Sequence, residues 1–75
     1  MAKTFSGKTV ITILCRTFGF FVVSQKGSHV KLRKRVADTT ITTIIPLHRE
    51  LSSGTLKGIL QLAQIEENDF RNTAK

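Results

Sequence analysis

The run from Gln25 to Arg35 gathers most of the side chains able to do chemistry in this chain. Histidine exchanges a proton near neutral pH, because its unperturbed pKa is about 6.5. In an extended segment alternate residues share a face, so His29, Lys31, Arg33 and Arg35 point one way, and Val30, Leu32 and Val36 the other. Three cations then stand about 6.6 Å apart, the scale of a nucleic-acid backbone, with an imidazole at one end of the row. A neutral imidazole beside a bound phosphodiester can take the proton of a ribose 2′-hydroxyl for in-line attack on the adjacent phosphorus. Lys26 is placed to stabilise the negative charge that gathers in the transition state. DNA lacks that hydroxyl, so this chemistry selects RNA. Gly27-Ser28 is turn chemistry in its own right, and its exposed amides and the Ser28 hydroxyl are candidate phosphate contacts.

Plainer readings compete. Most exposed histidines do no chemistry, cations on a strand also discourage edge pairing, and Lys31 to Arg35 weakly matches a localisation signal. The charge distribution favours the functional reading. The net charge is +7, with an isoelectric point near 10.4. All eight bases of residues 1–37 (Lys3, Lys8, Arg16, Lys26, Lys31, Arg33, Lys34 and Arg35) occur without a single acid. Residues 38–75 carry four bases against five acids. Solubility alone needs no such asymmetry, whereas a polyanionic partner does.

The remaining reactive types are sparse. His48, after Pro46-Leu47, is a candidate second acid–base group that could protonate the leaving 5′-oxygen. Nothing in the sequence sets it beside His29, and a structural role is favoured. Cys15 lies in an apolar helical pattern and, with no second cysteine, reads as a buried structural residue. Cys15, His29 and His48 show no metal-ligand spacing, so no metal or cofactor is expected.

The elements that must position these groups follow from pattern. Ser6 is a good N-cap, Phe5 and Val10 form a hydrophobic staple, and Val10, Ile11, Leu14, Cys15 and Phe18 line one face of a helix over residues 7–18, with Ile13 on the flank. Gly19 is its expected left-handed terminator. Phe20 to Gln25, His29 to Val36 and Thr40 to Ile45 read as strands, separated by reversals at Lys26-Gly27-Ser28 and Ala37-Asp38-Thr39 and stopped by Pro46. A second helix starts near Ser52, with Leu51 and Leu56 repeating the staple; its buried stripe is Leu56, Ile59, Leu60 and Ala63, with Leu62 beside it. Glu66 to Phe70 is expected to form a short helix or turn that returns Phe70 to the core, and residues 71–75 to fray. The predicted fold is a single α+β domain over residues 1–75, in the order helix–strand–strand–strand–helix. Its three-stranded antiparallel sheet carries both helices on one face and leaves the other wet.

Size bounds the rest. A chain of 75 residues buries only about 60% of the surface exposed on unfolding, so marginal stability is expected and a partner could add to it. No apolar run approaches the roughly 20 residues of a membrane span, and the first residues lack a signal-peptide stretch, so a cytoplasmic location is expected.

Taken in order, these pieces resemble the HicA family of bacterial and archaeal mRNA-interferase toxins. The resemblance covers nearly the whole chain: Ser6-Gly7-Lys8 through Leu14 with Gly19-Phe20, then Gln25-Lys26-Gly27-Ser28-His29, Ile45-Pro46-Leu47-His48, and Gly54-Thr55-Leu56-Lys57-Gly58-Ile59-Leu60. It implies a fold like the double-stranded RNA-binding domain, metal-independent cleavage of mRNA with His29 catalytic, and a HicB-type antitoxin as partner. The chain departs from the family pattern in three places. Val36-Ala37-Asp38-Thr39 lacks the usual Gly-containing turn, Gln64 stands where the second helix tends to end on Gly, and the second strand is unusually basic. Two other functions fit the composition: a noncatalytic RNA-binding module of similar fold, and an assembly protein whose basic face binds an acidic protein. Against the first, the start of the last long helix offers only Lys57.

Overall fold

The computed structural model describes residues 3–74. Its elements are α1 (Gly7–Thr17), β1 (Phe21–Lys26), β2 (His29–Val36), β3 (Thr39–Pro46), α2 (Ser53–Ala63) and α3 (Glu67–Thr73). The strands form an antiparallel sheet of order β1-β2-β3, with β2 central. The helices cover the face that carries Val30, Leu32, Thr43 and Ile45, all buried, as the sequence pattern predicts.

The two long helices begin in the same way. Ser6 and Ser52 are extended, and each hydroxyl oxygen accepts the amide three residues on, Thr9 N at 3.0 Å and Thr55 N at 3.2 Å. Each hydroxyl also donates to the Thr side chain at that position. The flanking staples, Phe5 with Val10 and Leu51 with Leu56, are buried, and the Leu51 amide donates to the Phe5 carbonyl at 2.8 Å. The two helix starts are thereby tied to each other. At its other end α1 stops on Gly19, whose φ of 81° turns the Phe20 amide back to the Leu14 carbonyl.

The hairpins have two-residue turns, Gly27-Ser28 and Ala37-Asp38. Both put a left-handed residue first: Gly27 at φ 59° and Ala37 at φ 54°. Ala37 therefore keeps the turn geometry without glycine, at a cost on the order of 1 kcal/mol. Gln64 does likewise at the end of α2, with φ 59°, so that helix still closes in the left-handed manner. Thr43, fully buried on β3, donates its hydroxyl to the Ile59 carbonyl at 2.9 Å and pins α2 to the sheet.

Several expectations change. Phe20 is buried ahead of β1 rather than in it, and β1 carries a bulge between Val22 and Ser24. Pro46 is the last residue of β3, paired with His29, instead of standing outside the strand. Its missing N–H is tolerated because β3 is an edge strand. Val36 has the parity of the core but is 45% exposed. Lys34 shares that parity and lays its ammonium 5.8 Å from the Phe20 ring centroid, capping the core. Leu62 is exposed on α2. Residues 71–73, expected to fray, are helical; Lys75 lies outside the described residues. Arg71 holds this end by an ion pair to Glu67 at 2.8 Å, a hydrogen bond to the Lys3 carbonyl at 2.7 Å and a position over the Phe5 ring. Beneath it Phe70 is fully buried and meets Phe5 edge to face, with centroids 5.1 Å apart.

Two glycines have opposite value. Gly7 packs against the backbone of Pro46 and Leu47, and a β-carbon there would collide with the Pro46 carbonyl oxygen. Gly7→Ala is expected to destabilise the fold by about 3 kcal/mol, read as a lower urea midpoint. Gly58 lies mid-way along α2 with open space where a β-carbon would sit. Gly58→Ala should raise stability by about 0.5–1 kcal/mol in the same measurement.

Candidate nucleic-acid interface

Strand pairing sorts the uncovered face of the sheet into cross-strand rows. Lys26, His29 and Pro46 form one; Ser24, Lys31 and Ile44 the next; then Phe21, Arg33 and Thr42; and finally Arg35 with Thr40. The row of side chains predicted for β2 is therefore present, with His29 at its end and Lys26 directly across from it. His29 and Arg35 are exposed, and Lys31 and Arg33 are half-buried. Arg33 donates from Nε to the Thr42 hydroxyl at 3.4 Å, which orients its guanidinium along the third row.

His29 opens into a cavity of about 310 Å³ lined by Ser24, Lys26, Lys31 and Ile44 as well. The cavity thus joins an imidazole, two ammonium groups, a hydroxyl and an apolar wall. That set can hold an anion close to a proton acceptor while leaving room for an uncharged ring.

The turn before His29 is held from three sides. Gly27 supplies the positive φ, and the Gln25 side-chain amide donates to the Gly27 carbonyl at 3.1 Å. The Leu47 amide donates to the Ser28 carbonyl at 2.7 Å. One residue further, the His48 carbonyl accepts from the Gly7 amide at 2.9 Å. The start of α1, the end of β3 and the Gly27-Ser28 turn are thus one connected unit.

His48 contributes to that unit through its backbone. Its side chain lines a different groove, of about 440 Å³, with Ser6, Lys8, Leu47 and Arg49. The two histidines therefore open onto separate cavities. Cys15 is half-buried, packed against the core from α1, and burial pushes its thiol up. That keeps the thiolate scarce and suits a structural residue. Among the described residues no group of three or more His, Cys, Asp or Glu could hold a metal ion, and no helix is long and apolar enough to cross a membrane.

Three contributors escaped the reading of β2 alone. Gln25 braces the turn, and Phe21 and Ile44 supply apolar surface beside the cations. The same alternation applied to β3 would have found Ile44. For β1 the bulge at Val22/Ser24 shifts the parity part-way along, so simple alternation fails.

A search of curated proteins returns no match to this chain. The family model described as HicA toxin of bacterial toxin–antitoxin matches residues 7–65, from the first residue of α1 to just past the end of α2. The match spans both long helices, the whole sheet and the braced turn. This chain belongs to the HicA toxin family.

Proposed function

We propose that this toxin is a metal-independent endoribonuclease that cuts mRNA, with His29 as the base. The observation that carries the reading is the pairing of His29 with Lys26 at the end of a cationic row, both lining one open cavity. Lys31, Arg33 and Arg35 hold successive backbone phosphates, and the Gly27-Ser28 turn supplies amides and a hydroxyl to the phosphate nearest His29. The neutral imidazole takes the 2′-hydroxyl proton as the 2′-oxygen bonds to phosphorus. The bond from phosphorus to the 5′-oxygen breaks, leaving a 2′,3′-cyclic phosphate, and the departing oxygen takes its proton from water on the open face. Lys26 offsets the charge that builds on the phosphoryl oxygens. This route rests on a proton acceptor and cations alone, so it calls for no metal. His48, facing the other groove, serves by holding Gly7 through its carbonyl.

A toxin of this family works within a toxin–antitoxin pair. The partner in this reading is a HicB-type antitoxin that meets the basic face with acidic or apolar groups, and the place of action is the cytoplasm, where mRNA is translated.

His29 is exposed on the sheet face opposite the core cluster, so His29→Ala should leave the thermal transition unchanged. Cleavage of an mRNA transcript by the purified variant should fall by about 10²- to 10⁴-fold, while RNA binding persists. Undiminished cutting by the variant would sink His29 as the base. RNA binding without cleavage in the parent would leave the noncatalytic RNA-binding module as the answer.

A further inference from the structure

Phe21 is the one phenylalanine that the core does not use. Phe5, Phe20 and Phe70 are buried and Phe18 packs against the core from α1, whereas Phe21 is 49% exposed. Its neighbour Phe20 belongs to the helix-covered side, and Phe21 pairs with Arg33, so its ring stands on the uncovered face. An exposed aromatic on an edge strand invites aggregation, a liability with no return in packing here. Its setting offers a return of another kind. Arg33 lies between Phe21 and Thr42, and Lys31 and Ile44 occupy the adjacent row. Phe21 is thus an apolar ring inside a cationic field, four residues of β2 (about 13 Å) from His29.

We propose that Phe21 is a base-stacking platform that seats an unpaired nucleobase of the RNA, with Arg33 holding the phosphate beside it. The inference rests on the RNA reading above and deepens it. A single strand laid along β2 keeps its phosphates on Lys31, Arg33 and Arg35 and turns a base onto the ring. A base can meet an aromatic face this way only where it is unstacked from its neighbours, so the platform selects single-stranded segments. Stacking tolerates any base, because each has a π-face.

The test is binding of the full chain to a single-stranded oligoribonucleotide carrying 2′-O-methyl groups throughout, which no 2′-hydroxyl mechanism can cut. The ring packs into no core, so substitutions should leave thermal unfolding in place, and this is checked first. Phe21→Ala is expected to weaken binding by roughly 5- to 100-fold with the salt dependence unchanged. Phe21→Leu, which keeps apolar bulk without a π-face, should behave like Phe21→Ala. Arg33→Gln should instead flatten the slope of log affinity against log salt by about 0.7. The chain has neither Trp nor Tyr, so Phe21→Trp installs a lone indole reporter. It should retain affinity, and its fluorescence should be quenched as RNA binds. Parent-like affinity in Phe21→Ala or Phe21→Leu overturns the platform and leaves the RNA reading standing. Weakened affinity for an antitoxin encoded beside the toxin, with RNA affinity unchanged, assigns the ring to protein docking and also overturns it. No RNA binding by the parent defeats both readings.

Discussion

The backbone contact between Gly7 and Pro46 is the constraint on which the rest depends. A helix can start this close to a strand end only where the approaching residue has no β-carbon. The approach lets the Gly7 amide reach the His48 carbonyl, and the adjacent Leu47 amide reach the Ser28 carbonyl. Two peptide units thereby fasten α1, β3 and the hairpin turn that carries His29. The Leu51 amide, bonded to the Phe5 carbonyl, adds α2 to the same junction. A thin core could not by itself hold a two-residue turn in place; hydrogen bonds among backbone groups at one end of the sheet do so.

Away from that junction the two faces divide the work. The helix-covered face carries the apolar set, with Thr43, the one buried polar side chain among the described residues, satisfied by the Ile59 carbonyl. The other face carries the cations, spread along β2 and onto β1, where water screens their mutual repulsion. Lys34 breaks the division and shows its logic: where the core thins at the far end of β2, a long stem covers Phe20 and the ammonium stays near solvent.

Much of this was legible because short-range rules govern it. The serine caps, the staples, the Gly19 terminator and the Gly27-Ser28 turn depend on residues a few positions apart, and the structure has each of them. The alternation of β2 placed His29 in register with Lys31, Arg33 and Arg35 for the same reason. What escaped depends on contacts distant in sequence. Val36 shares the parity of the core yet stays exposed, and Arg71 orders the last helix through Lys3 and Phe5. A bulge decides which β1 residues share the face of His29, and its position is set by pairing across strands. The roles of Gly7 and Gln25 rest on a close approach and a side-chain hydrogen bond that no local pattern announces.

The separation of faces has an evolutionary consequence. Because His29, Lys31, Arg33 and Arg35 lie on the face opposite the core, drift at these positions meets little purifying pressure from folding. In the RNA-cleaving reading proposed above, one substitution on that face silences the toxin and leaves a well-folded protein. Such a copy would still engage whatever antitoxin docks outside the altered residue, and so draw it away from active toxins in the same cell. On that reading the architecture puts folded, inert decoys a short mutational step from a poison.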